Sequence, residues 1–135
     1  MARIDTFQCS VITPERSVLD CAATFVAFPA HDGEMGVLPH RAPLVCKLGI
    51  GPLRVDSLGK TEIYFIDGGF AQMLDNRLTI LTEQAKRASE LKRGPAEEAL
   101  AQARAMPIPD DQAFDARQRA VKRAQVQLRL VRNPS

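Results

Sequence analysis

The sequence predicts a β + α fold: an N-terminal antiparallel β-sandwich followed by a C-terminal antiparallel two-helix hairpin. Three observations predict it. Apolar residues recur with period two up to about Leu81 and with helical spacing past Thr82. Seven of the eight glycines fall before residue 84, at the frequent corners that short strands need. Beyond them, Gly94-Pro95 and the pair Pro107 and Pro109 punctuate two helical stretches. The boundary is placed at residues 1–83 and 84–135, and 135 residues suffice for one good core plus an appendage.

Ile4, Phe7, Cys9 and Val11 predict the first strand, and the turn at Pro14-Glu15-Arg16 leads to a second running from Ser17 through Phe25, Ala27 and Pro29. His31-Asp32-Gly33-Glu34-Met35-Gly36 places a turn between strand-like runs. Leu38-Pro39 and Ala42-Pro43-Leu44 hold the next stretch extended, because proline disfavours helical backbone in the residue before it. Leu48-Gly49-Ile50-Gly51-Pro52 reads as a corner, and Leu53–Val55 with Thr61–Ile66 flank a hairpin turn over 56–60. Asp67-Gly68-Gly69 reads as a tight reversal before Phe70–Leu74, and Asp75-Asn76-Arg77 as a turn before Leu78–Leu81.

Proline fits the first helical position and Glu97-Glu98 suit the positive end of the dipole, so a helix is expected from Gly94-Pro95 to about Met106. Asp110-Asp111 caps a second helix, whose Phe114, Val121, Ala124, Leu128 and Val131 predict one apolar seam broken by Arg117. The first helix offers Ala96, Ala99, Leu100 and Ala103. A buried methyl contributes about 1 kcal/mol or less and a leucine about 2. A hairpin joined mainly by alanines is therefore expected to be mobile.

Residues 1–83 carry seven Lys/Arg against ten Asp/Glu, a net of −3, while residues 84–135 carry eleven against six, a net of +5. An acidic body with a basic tail points to two kinds of partner. The three cysteines (Cys9, Cys21, Cys46) form no CxxC pair and read as buried thiols. No secretory or transit-type segment precedes Arg3-Ile4-Asp5, and no apolar run approaches the ~20 residues that span a bilayer. The expectation is a soluble intracellular chain that reaches a membrane only through a partner.

Little catalytic chemistry survives inspection. Gly59-Lys60-Thr61 lacks the glycine of a phosphate loop, since Arg54 stands there, and reads as a plain turn. His31, Glu34, His40 and Cys46 match no compact ligand spacing, so no metal or other cofactor is expected. The basic second helix (Arg117, Arg119, Lys122, Arg123, Arg129, Arg132) leaves three readings: a solvated face, an acidic protein groove, or nucleic acid. Its charges wrap around the helix and no aromatics interleave, which disfavours nucleic acid. A stand-alone adaptor binding nucleic acid is the alternative reading, and a small metal-dependent barrel using His31, Glu34 and His40 comes last.

The run GEMGVLPHRAPLV resembles the Gly-Glu-(Leu/Met)-Gly-Ile-x-Pro-x-His-Ala-Pro-Leu segment of the epsilon subunits of F-type, proton-translocating ATP synthases. Phe65–Phe70, Arg77–Leu81 and Arg119–Ala124 extend the resemblance over nearly the whole chain. It implies a non-catalytic rotor subunit on the cytoplasmic face of a bacterial plasma membrane. The sandwich would bind the gamma subunit and the c-ring, with Glu34, Met35 and Arg41 at the ring. The hairpin would restrain ATP hydrolysis at the alpha/beta catalytic head through Arg119, Lys122 and Arg123. Two departures stand out. Arg41 replaces the usual histidine, which makes that surface cationic at all pH values. ATP-binding members carry (Ile/Leu)-Asp-x-x-Arg-Ala, where this chain has Lys92 and Pro95 in place of the acid and the arginine. No nucleotide site is therefore expected, and Gly94-Pro95 is expected to interrupt or shorten the first helix.

Overall fold

The structure is a computed structural model describing residues 4–132, and of Arg132 only the backbone. Eight strands run in the order β1 Phe7–Ile12, β2 Ser17–Ala23, β3 Phe25–Ala30, β4 Gly33–Val37, β5 Leu44–Ser57, β6 Lys60–Leu74, β7 Arg77–Leu81 and β8 Ala85–Arg87. A single 3-10 turn at Ala88–Glu90 follows, then α1 Arg93–Arg104 and α2 Asp111–Arg132. Hydrogen bonding runs continuously as β2-β1-β7-β6-β5-β3-β4, with β8 on the first half of β6. This sheet folds over on itself, so that β2 packs against β5 and all the inward side chains share one core. The expected sandwich and hairpin form, although β1 and β7 run parallel within the otherwise antiparallel sheet.

The fold-over is made by β5 and β6, paired along nearly their whole length. Leu48 faces Gly69 and Ile50 faces Asp67, leaving Gly49 and Gly68 opposite one another as a break in the ladder with the register kept on both sides. Both strands thus bend at the same level. The corner expected at 48–52 and the reversal expected at 67–69 are bends inside continuous strands. At Gly69 (φ 106) a Cβ would lie 1.8 Å from the Leu81 carbonyl oxygen, so only glycine lets β7 and the segment after it close over this bend.

The long second strand expected from Ser17 to Pro29 is broken at Thr24, whose N–H and Oγ both donate to the Asp56 carbonyl at 2.7 and 3.1 Å. Glu34, Met35 and Gly36 belong to β4, and the preceding turn is confined to His31-Asp32. The extended stretch after it is interrupted by His40, whose φ is 64.

In the core, Phe7, Cys9 and Val11 of β1 meet Val26 and Phe28 of β3, Leu53 and Val55 of β5, Tyr64 and Ile66 of β6, and Leu78 and Ile80 of β7. Aliphatic side chains predominate, in keeping with a sequence that has no tryptophan. The bend divides the sheet into a first layer (β2, β1, β7, the later half of β6 and the start of β5) and a second (β4, β3, the rest of β5, the earlier half of β6 and β8). The outer face of the second layer is also apolar. There Phe65, Ile50 and Ile63 are covered by Val126 and Leu130 of α2, with Ala88 and Leu91 alongside.

The hairpin differs from expectation in three ways. Helix α1 starts at Arg93, so Gly94-Pro95 sits within its first turn and does not interrupt it. Proline is tolerated there because the first four N–H groups have no intrahelical acceptor. Helix α2 presents two apolar stripes: Ala124 is buried with Ala103 of α1 as its counterpart, while Val126 and Leu130 face the sheet. Phe114, expected in the seam, is 40% exposed. Arg117 does not break a seam at all, because its guanidinium donates to the Arg104 carbonyl at 3.1 Å and ties off the end of α1. Asp110 caps α2 as expected, accepting from the Ala113 N–H at 2.7 Å.

Candidate functional site

Strand alternation makes the outward face of the first layer a candidate interface. With Cys9, Val11, Leu78, Ile80, Ala71 and Met73 turned inward, Ile12, Leu81, Phe70 and Val45 must turn outward. Register places Ile12 beside Leu81, Leu81 beside Phe70 and Phe70 beside Lys47, with Val45 two residues along on β5. Val45 is 70%, Phe70 54% and Leu81 49% exposed. A shallow groove of about 350 Å³ runs past Phe70 and Leu81, bounded by Thr13 and Pro14. An apolar strip crossing four paired strands is what a docking surface offers.

The other end of that face is polar. Asp20 accepts from Gln8 and, at 3.1 Å, from the Ser10 hydroxyl, while Arg77 donates to Ser10 at 3.4 Å. Those two hydrogen bonds hold the Asp20 carboxyl below the usual carboxylate range, with Arg77 adding to the effect. The face therefore combines an apolar half that excludes water with a polar half that fixes orientation.

Of the residues assigned to the ring, Glu34 is exposed on β4 and Arg41 is exposed in the 38–43 segment. Met35 points the other way: it pairs with Phe28 and packs half-buried against the core, supporting the strand beneath Glu34. The 38–43 segment is held by His40. Its N–H donates to Asn76 Oδ1 at 2.8 Å, and its Nε2 lies 3.3 Å from Asp5.

The three basic residues assigned to the hairpin separate. Arg119 and Lys122 are exposed. Arg123 turns toward the sandwich, its Nε donating to Asp67 Oδ2 at 2.6 Å at the bend of β6. Lys92 is the N-cap residue of α1 with no side-chain cap, and Pro95 offers no N–H.

The remaining reactive groups are structural. Burial pushes the Cys9 thiol up to about 12, reinforced by Cys21 directly across the β1–β2 pair. Burial also raises the half-buried Cys21 and Cys46. The Tyr64 hydroxyl donates to Glu62 at 2.6 Å, which holds that carboxyl below its ordinary value, and burial moves the hydroxyl above its own. Of Gly59-Lys60-Thr61, Gly59 lies in the Leu58-Gly59 hairpin turn while Lys60 and Thr61 open β6, where Thr61 donates to Asp56 at 2.9 Å. No three His, Cys, Asp or Glu side chains gather into a metal-holding group among the described residues.

Residues 6–88 match the family model for the ATP synthase delta/epsilon chain β-sandwich domain. The chain is 42% identical to the ATP synthase epsilon chain of Rhodopirellula baltica over 127 residues, covering 94% of this chain and 99% of that one. The chain belongs to the epsilon-subunit family of the F-type ATP synthases. The epsilon chain of Pelotomaculum thermopropionicum is 39% identical over 94 residues, 70% of each chain. A chain in the OSCP/F1/c-ring structure of Euglena gracilis mitochondrial ATP synthase superposes with a TM-score of 0.83 at 25% identity, over 96% of this epsilon-family chain and 84% of that one. One from the Tetrahymena thermophila central stalk and c-ring shares the fold at a TM-score of 0.73 and 10% identity, over 95% and 98%. Epsilon chains are non-catalytic stalk subunits of a membrane-associated complex, and this chain is one.

The resemblance was legible in the sequence, but the surfaces were not. Phe70 and Leu81 could have been flagged because they fall on the polar phase of the strand alternation. Val126 and Leu130 lay four apart on a second stripe, and Asp67 was absorbed into a turn motif.

Proposed function

We propose that the chain is the coupling joint of the rotor: its sandwich binds the gamma subunit and rests on the c-ring, and its hairpin restrains ATP hydrolysis. The apolar strip Ile12–Leu81–Phe70–Val45 carries this reading. A water-facing apolar strip crossing four hydrogen-bonded strands has the makings of a permanent structural contact. Gamma is assigned to that strip. Glu34 and Arg41, with Met35 bracing the strand beneath, are assigned to the ring.

Residues 1–83 form the coupling unit and 84–135 the regulatory one in this reading. Arg119 and Lys122 stand ready for an acidic surface on the alpha/beta head, and Arg123 joins them only when the hairpin leaves Asp67. Nothing in the reading calls for a nucleotide: with Lys92 and Pro95 in the motif positions, ATP is expected to leave the thermal unfolding midpoint of the purified chain unchanged, and a clear ATP-dependent rise would overturn this. The location is the cytoplasmic face of a bacterial membrane, reached through the complex.

Binding to purified gamma tests the reading. Phe70→Glu with Leu81→Glu puts two charges into the strip. Each buried apolar anchor is worth about 1–3 kcal/mol, so affinity falls by roughly a hundredfold or more. Unchanged affinity would move gamma to another surface.

A further inference from the structure

We propose that Asn76 is a positioning residue: a strut that sets the pose of the 38–43 segment and so of Arg41. The inference rests on the assignment of Arg41 to the ring. Asn76 lies in the β6–β7 turn, with φ 59, a left-handed conformation that asparagine tolerates better than most residues. Three of its polar groups are spent on tertiary bonds. Its side-chain oxygen accepts from the His40 N–H at 2.8 Å, its side-chain nitrogen donates to the Thr6 carbonyl at 2.9 Å, and its own carbonyl accepts from the Gln8 N–H at 3.1 Å. One residue thus joins the turn, the start of β1 and the 38–43 segment.

The segment has little else to hold it. Among the described residues its hydrogen bonds to the rest of the chain both come from His40, one to Asn76 and one to Asp5. The Asp5 contact is solvent-exposed on both sides and correspondingly weak. His40 also sits in the left-handed region (φ 64), which is unfavourable for a residue with a Cβ unless neighbours compensate. That conformation directs its N–H at Asn76. Prolines 39 and 43 stiffen the segment between, so fixing His40 fixes the direction in which Arg41 leaves the surface. A coupling surface that carries torque must not swivel, and Asn76 is the group that prevents it.

Asn76→Gly is the discriminating variant, because glycine accepts the left-handed turn and only the two side-chain bonds are lost. Amide hydrogen exchange at His40 in the purified chain is expected to rise about tenfold. In the assembled synthase, proton pumping per ATP hydrolysed is expected to fall. Asn76→Asp keeps the acceptor for His40 and restores most of the His40 protection. Arg41→Glu in the assembled enzyme is the reference for the underlying assignment. The proposal is overturned if His40 exchange is unchanged in Asn76→Gly, or if that variant pumps normally while Arg41→Glu uncouples. If neither variant affects pumping, the assignment of Arg41 to the ring fails and takes the proposal with it.

Discussion

Replacing Gly69 by alanine is expected to remove most of the stability of the sandwich. The added Cβ would sit 1.8 Å from the Leu81 oxygen, 2.8 Å from its carbonyl carbon and 2.9 Å from Thr82 Cα. All three are backbone atoms, so no rotamer change relieves the collision. The strand that carries Leu81 must move off β6, breaking the pairing of Phe70 with Leu81 and opening the groove beside them. Such a combined backbone clash and left-handed penalty belongs among the largest single-residue effects, about 4 kcal/mol or more. That corresponds to a fall of roughly 15 °C in unfolding midpoint for a chain of this size. Gly59→Ala supplies the comparison. Gly59 is also left-handed (φ 72) but has nothing within 4 Å of a Cβ, so only the backbone term applies, about 1–2 kcal/mol. Equal losses for the two variants would show that the bend of β6 is not held as described.

The second large effect is release of the hairpin. Val126 and Leu130 cover Phe65, Ile50 and Ile63, and Arg123 pairs with Asp67 beside them. Full burial of each aliphatic side chain contributes about 1.5–3 kcal/mol. The partly exposed ion pair adds about 1 kcal/mol or less. The apolar pair therefore dominates the docking, and truncating both residues to alanine removes about 4 kcal/mol or more. The double variant is expected to lose amide protection throughout α1 and α2 while the core of β5 and β6 keeps its own. Asp67→Asn is expected to act in the same direction and more weakly. Unchanged helix protection in the double variant would mean that something else holds the hairpin.

The same numbers explain how the hairpin can be held and still be releasable. Between the helices the buried contacts are alanines, Ala103 and Ala124, which contribute little individually. An element docked through two large apolar residues and one ion pair is within reach of a competing partner.

What the sequence conceals follows from how residues share neighbours. Glycine marks local backbone conformation faithfully but does not say whether the chain turns back or only bends. Gly49 and Gly68-Gly69 were readable as special positions. Their facing register, which makes one bend of two apparent corners, depends on pairing 19 residues apart and has no local signature. Strands of 14 and 15 residues also exceed the usual length, so splitting them was the natural reading. In α2, a seam chosen to match α1 alone collected Phe114 and missed Val126 and Leu130, because the helix packs on two surfaces at once. Arg117 looked like a defect in the pattern until its carbonyl partner at Arg104 was known. By contrast, the Asp75-Asn76 turn and the Asp110 cap depend on nearby residues and were read correctly. The family resemblance was also local, carried by contiguous runs, and this made the subunit class legible when its contact surfaces were not.

The division of labour between sheet and hairpin is tested most directly by assembling the synthase with a chain ending at residue 89. ATP hydrolysis and ATP-driven proton pumping are then measured on the same preparation. The account predicts faster hydrolysis with pumping retained, because the strip, Glu34 and Arg41 all remain. Loss of pumping in step with the tail, or hydrolysis unchanged without it, would contradict the account.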